Sequence, residues 1–392
     1  MLLSLALIFL LGMLLGKLVE RLRLPKLLGM LLTGVLLGPS ALNLLDQGIL
    51  DISAELRQVA LIIILARAGL NLNVADLKKV GRPAILMCFL PACFEIVGML
   101  ILAPKLLGVS LLDAAIMGTV VAAVSPAVVV PHMLKVMENG YGNKNGIPQM
   151  ILAGASVDDV FVIVLFTAFT GIAQDGQQSA MQFLTIPTAI IFGLAGGVAA
   201  GWLLTWLFRH FHIRDTGKVI TILSVSFLLV TLEETLSGVV GFSALLAVMA
   251  LGATIQQGRY IVSKRLSNKF SKLWVGAEVL LFVLVGSTVN ISYALDAGIT
   301  VVGLVLAVLV FRVLGVYASL IKTQLTKEEK LFAAFSYLPK ATVQAAIGGL
   351  PLAMGLASGE IILTVAVVAI MVTAPLGAWL IDSTYRKLLT KD

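Results

Sequence analysis

The sequence predicts an all-α, polytopic membrane protein, and three observations predict it. Apolar runs of membrane-spanning length recur from Leu2 almost to Tyr385. Of the 392 residues only 12% are charged and 59% are hydrophobic, whereas a soluble domain averages about 25% charged. The loops between the runs alternate between basic and acidic. A bilayer core offers no water to unsatisfied backbone groups, so such a chain crosses as helices.

We read thirteen apolar segments, at about 2–19, 27–45, 55–72, 83–104, 110–134, 147–174, 183–208, 218–236, 238–257, 272–290, 296–321, 329–355 and 358–385. Basic residues follow every odd-numbered segment. They are Lys17, Arg21, Arg23 and Lys26; Lys78, Lys79 and Arg82; Lys135 and Lys144; Arg209, Arg214 and Lys218. Arg259, Lys264, Arg265, Lys269 and Lys272 continue the pattern, then Lys322, Lys327 and Lys330, then Arg386, Lys387 and Lys391. The opposite loops carry only Arg57 and Lys105 and lean acidic through Asp46, Asp51, Glu55, Asp113, Asp175, Glu233, Glu234, Asp296 and Glu360. The positive-inside rule then predicts a cytoplasmic C-terminus and, with an odd number of spans, an N-terminus outside. The net charge of +7 therefore describes topology and not a nucleic-acid partner.

The first run lacks the charged head and cleavage site of a secretory signal and is expected to be retained. Cys88 and Cys93 share one apolar segment and read as small core residues. No soluble nucleotide-binding module and no G-x-x-x-x-G-K-[ST] phosphate loop is present. We expect neither an enzyme nor a cofactor, and a gradient as the driving force.

The chain is organised around ILAGASVDDVFVIVLFTAFTG, where Asp158 and Asp159 stand side by side in an apolar run. A carboxylate at bilayer depth costs at least a few kcal/mol, about 2.5 on the gentlest scale, and is a functional candidate by default. Adjacent side chains on a helix diverge by about 100°, so both cannot hide against one neighbour. Arg67 also lies in an apolar segment, near its cytoplasmic end, and reads as a snorkelling structural residue. Glu95, Arg312 and Lys340 lie deeper in theirs. They are candidates to pair with each other or with the aspartates; a purely structural salt bridge is the plain alternative.

Two segments carry helix-breaking chemistry in mid-span. The fifth reads GTVVAAVSPAVVVPHML, with Ser125 before Pro126; the twelfth reads FSYLPKATVQAAIGGLPLA, with Pro339 before Lys340. Proline deletes a helix hydrogen bond and biases its predecessor away from helix. Segments four to six and eleven to thirteen each place a broken helix between a charged helix and a third one. Seven spans separate the triplets, so they lie in opposite orientations. That predicts an inverted-topology repeat with two discontinuous helices meeting at the midplane.

SPAVVVPHMLKVMENGYGNKNGIPQMILAGASVDDVFVIV and YLPKATVQAAIGG resemble the NHA branch of the monovalent cation:proton antiporter family 2, with an NhaA-like fold. LGKLVERLRLPKLLGMLLTGVLLGP and LIIILARAGLNLNVADLKKVGRP are similar to the broader family. The resemblance implies a single exchanger domain over 1–392 that works as a homodimer in a bacterial inner membrane. A core at about 83–174 and 296–385 would move against a dimerisation scaffold at about 1–72 and 183–290. It implies that Asp159 binds the cation or the proton, and that Asp158 occupies the family's variable position. Arg312 and Lys340 match its intramembrane basic positions, and Glu95 the acid paired with one.

The residues themselves support competition. Two carboxylates in a low-dielectric site cannot both ionise cheaply and titrate as a unit. Deprotonated, they offer oxygen ligands to Na+ or Li+, with Ser125, Ser156 and released carbonyls completing the shell. Protonated, they have little affinity for it. Alternating access turns that competition into exchange, and Arg312 or Lys340 neutralises an aspartate when the ion is absent. A potassium/proton antiporter on the same fold is the main alternative, since ligand types alone do not set ion size. An ion channel, a sodium-coupled symporter and an intramembrane aspartyl protease fit less well. The protease needs its two carboxylates facing from separate helices.

Overall fold

The computed structural model describes residues 1–22, 24–72, 81–174, 182–236 and 241–391. Arg23, Lys78, Lys79 and Asp175, named above in the charge alternation, lie outside them, as do the side chains of Ser156 and Asp296. The described chain is helical almost throughout. In order come α1 (Leu2–Arg21), α2 (Lys26–Leu37), α3 (Gln47–Asp51), α4 (Ser53–Asn71), α5 (Arg82–Met87), α6 (Leu90–Leu107), α7 (Leu111–Ala122), α8 (Pro126–Glu138) and α9 (Ile147–Gln174). Then follow α10 (Gln182–His210), α11 (Asp215–Leu236), α12 (Ala244–Gly258), α13 (Tyr260–Ser287), α14 (Ile291–Ser319), α15 (Lys327–Ser336), α16 (Thr342–Ile347), α17 (Leu350–Ala353) and α18 (Gly359–Leu388).

Among the described residues, nine helical stretches are long and apolar enough to cross a membrane. Shorter apolar helices run Lys26–Leu37, Ala244–Gly258 and Thr342–Ala353. Helix starts follow local chemistry. The Ser110 hydroxyl accepts from Asp113 N to cap α7, Thr326 and Glu329 form a reciprocal capping box at α15, and Pro126 opens α8 where its missing N–H costs nothing. One boundary differs from the expected 272: α13 begins at Tyr260. Its first turns bury Val262, Ser263, Leu266, Ser267 and Phe270 and expose Lys264, Arg265, Lys269 and Lys272. The exposed cations lower the mean hydropathy of a stretch that is nonetheless helical and half-buried.

The chain forms two compact units. The first comprises Met1–Ala54, Ala75–Val162 and Val279–Asp392. In it α2 meets the end of α13 at glycines: a Cβ at Gly34 would overlap the Val283 carbonyl oxygen, and one at Gly286 that of Leu31. The helices cross with backbone nearly touching, as small residues permit in membranes. A fully buried apolar cluster joins Met87, Val129, Met133, Ile151, Phe332 and Ile381, drawn from α5, α8, α9, α15 and α18. The ends of α8 and α18 are fastened beside it. Lys135 Nζ lies 3.0 Å from Asp382 Oδ1, and Gly142 N donates to Thr390 O at 2.9 Å.

The second unit comprises Glu55–Val74 and Ile163–Glu278. Here α10 packs along α12 with Gly193, Gly197 and Gly201 against it. The end of α4 is tied to α13, where Ser263 Oγ donates to Leu70 O and Ser267 Oγ to Asn71 Oδ1, both at 2.7 Å.

Candidate functional site

The site lies in the first unit, where two interruptions of helical backbone meet. Between α7 and α8 the chain is extended, with Ala123 at φ −67°, ψ 139° and Ser125 at φ −88°, ψ 110°. Between α15 and α16 residues 338–341 are non-helical and hold Pro339 and Lys340. The two stretches touch directly: Ser125 N donates to Pro339 O at 2.8 Å.

Each break frees polar backbone groups, and buried side chains take them up. At the C-terminal end of α7, Gln344 Nε2 donates to Val121 O at 3.2 Å and to Ala123 O at 2.8 Å. Its Oε1 accepts from Ala341 N at 2.7 Å, so one side chain closes both breaks. Arg312 Nη1 and Lys340 Nζ donate to Ala122 O. Cations suit this position, since orphan carbonyls make a helix C-terminus partly negative. On the other side of the first break, Val124 N donates to Asp158 Oδ2 at 2.7 Å. Lys340 N is held by Thr373 Oγ1 of α18 at 2.9 Å.

Four of the intramembrane charges, Glu95, Asp158, Arg312 and Lys340, form one network with no solvent exposure. Glu95 Oε2 accepts from Arg312 Nη1 and from Lys340 Nζ, each at 2.6 Å. Arg312 Nη2 reaches Asp158 Oδ2 at 3.1 Å, and Arg312 Nε donates to Tyr337 O. Two cations are thus matched by two carboxylates, Glu95 and Asp158. Asp159, 9% exposed, makes no hydrogen bond or ion pair with the described residues, and its Oδ1 is buried without a partner. The hydroxyl of Ser125 and the second oxygens of Asp158 and Glu95 are likewise buried and unpartnered.

The fold therefore brings Asp158, Asp159, Ser125, Glu95, Arg312, Lys340, Pro126 and Pro339 into one neighbourhood. Sequence reading named the break containing Gln344 without seeing that its amide bonds both breaks. It passed over Thr373 and Tyr337 altogether. The available signal for Tyr337 was its place two residues before Pro339.

The family model for the transmembrane sodium/hydrogen exchanger matches residues 5–382. The chain belongs to the sodium/hydrogen exchanger family. Its activity is the antiport of Na+ against H+, and it is an integral, multi-pass membrane protein. Among curated relatives, human sodium/hydrogen exchanger 9B2 is 33% identical over 382 residues, covering 94% of this chain and 70% of that protein. The mouse exchanger 9B2 is 34% identical over 390 residues, covering 94% and 69%. Among solved structures, the sodium proton antiporter MjNhaP1 of Methanocaldococcus jannaschii at pH 8 superposes with a TM-score of 0.83. It is 20% identical and covers 97% of both chains, so it shares the antiporter fold.

Proposed function

We propose that this exchanger moves Na+ (or Li+) against H+ by alternating access at the Asp158/Asp159 pair, with Asp159 as the group that changes hands. The observation that carries this reading is the charge balance. Arg312 and Lys340 are already matched by Glu95 and Asp158. An ionised Asp159 is then one uncompensated charge in a buried site, which either a proton or a small cation neutralises. Both cannot be held at once, and that exclusion is what couples the two fluxes. Ser125 and carbonyls released at the breaks supply further oxygen ligands, with Ser156 as a fourth side-chain candidate. Arg312, Lys340 and Glu95 keep the rest of the network neutral while the site turns over.

The wider architecture follows the same reading. Thirteen spans result if the nine long helices are joined by α2, α4, α12 and the pair α15–α16, each a short or less apolar crossing. The two broken helices then occupy equivalent places in an inverted repeat. The core would be about 83–174 and 296–385, moving against a scaffold at about 1–72 and 183–290 that forms the homodimer. The basic loops support a cytoplasmic C-terminus and an outside N-terminus, and the cell membrane of a bacterium is the expected location.

Asp159→Asn, a change of one atom that leaves the site without its titrating group, is expected to abolish sodium-dependent proton flux in proteoliposomes. Exchange retained in that variant overturns the assignment.

A further inference from the structure

Tyr337 is fully buried, and its hydroxyl makes no hydrogen bond. It lies in the apolar cluster with Met87, Ile151, Ala155 and Phe332. A bare hydroxyl is costly there, and phenylalanine would fill the same space without that cost. The cluster's Tyr385 is different: its hydroxyl accepts from Asn139 and from Arg386.

The position of the unpaired group is closely fixed. The Tyr337 carbonyl accepts Arg312 Nε, and the Arg312 guanidinium sits 5.4 Å from the ring centroid. The hydroxyl abuts Gly154 of α9, where an added Cβ would overlap the phenolic oxygen. Glycine at this position is what makes room for it. Gly154 stands four residues before Asp158 on the same helix, about 5–6 Å along its face. The charged and titratable groups that act electrostatically on the Tyr337 hydroxyl are Asp158 and Asp159 from α9, Cys88 just beyond α5 and Arg312 from α14. Lys340 and Glu95 follow behind Arg312. The Tyr337 hydroxyl is a buried donor without an acceptor, and Asp158 Oδ1 and Asp159 Oδ1, one helical turn beyond Gly154, are buried acceptors without a donor. A single water joins polar groups that are too far apart for a direct bond.

We propose that Tyr337 is a positioning residue of the exchange site. Through a single water over Gly154, its hydroxyl donates to the free oxygen of the diaspartate pair and holds it in the ionised, Na+-accepting form. The inference rests on reading Asp158/Asp159 as the exchange site. A donor to a carboxylate favours its charged state. Without that donor the proton competes better against Na+, while the chemistry of crossing is unchanged.

The test is Tyr337→Phe in the full chain, reconstituted into proteoliposomes, with Asp159→Asn alongside and melting followed in detergent. Expected for Tyr337→Phe is a KM for Na+ raised about three- to tenfold with kcat within about twofold. Its melting temperature should stay within a few degrees of the parent's, which shows that the variant folds. An unchanged KM overturns the proposal, and so does a raised KM that comes only with a collapsed melting temperature, which would mark the hydroxyl as a structural group. A parent-like KM beside an inactive Asp159→Asn removes only the role of Tyr337. Exchange retained in Asp159→Asn removes the underlying reading.

Discussion

At the scale of residues, the centre of the network is one oxygen. Glu95 Oε2 accepts both Arg312 and Lys340 at 2.6 Å, with every partner fully buried. Breaking a buried ion pair from one side is far more costly than never having built it, because the surviving charge stays desolvated. Glu95→Gln keeps the shape and removes the charge, leaving two adjacent cations facing Asp158 alone. We expect it to destabilise the protein by about 3–5 kcal/mol, seen as a lower thermal unfolding midpoint in detergent. Removing Lys340 as well, in Glu95→Gln/Lys340→Met, should recover part of that loss, because the second uncompensated charge goes with it. Additive losses in that cycle would contradict the shared oxygen. These charged residues were legible in the sequence, since a charge inside an apolar run has few bland explanations. Their pairing was not: Arg312 and Glu95 are 217 positions apart, and nothing local chooses between Glu95 and Asp158.

At the scale of elements, the two interruptions behave as one structure. Pro126 and Pro339 make each break readable, and Ser125 N to Pro339 O joins them. Gln344 then satisfies Ala341 N, Val121 O and Ala123 O together. A buried polar group left unpaired costs about 1–3 kcal/mol. Gln344→Ala is therefore expected to cost a few kcal/mol of stability, about 2–5 after partial relaxation, and to lower kcat as the breaks lose their mutual register. Thermal unfolding and proteoliposome flux measure the two effects, and a variant unchanged in both would show that the breaks are held otherwise. The other element-level lesson is α13. Its first turns carry Lys264, Arg265, Lys269 and Lys272 on an exposed face, so a hydropathy reading starts the segment about three turns late. An amphipathic turn is hidden from a search for uniform apolarity.

At the scale of the whole molecule, the proposal that Asp158/Asp159 is the exchange site makes the stoichiometry depend on which aspartate is already engaged. Asp158 Oδ2 holds Arg312 Nη2 at 3.1 Å and Val124 N at 2.7 Å, whereas Asp159 is free of both. If Asp158 keeps its partner through the cycle, one proton exchanges for one Na+ and no net charge crosses. Exchange should then be insensitive to an imposed membrane potential. A potential-dependent rate would mean that Asp158 releases Arg312 and carries a second proton. The choice matters energetically, since each charge moved is worth about 2.3 kcal/mol per 100 mV.

The sequence by itself determined that this chain crosses a membrane many times as helices, that two helices break near Pro126 and Pro339, and that the intramembrane charges are the functional candidates. Each follows from a local cost: unsatisfied backbone in lipid, a missing proline N–H, a desolvated charge. Only the tertiary structure decided that Arg312 serves Glu95 and Asp158, that Gln344 closes both breaks, that Tyr337 reaches the Gly154 notch, and that Asp159 is left over. Those outcomes depend on distances between residues far apart in the chain, and a buried charge specifies that it needs a partner without specifying which one.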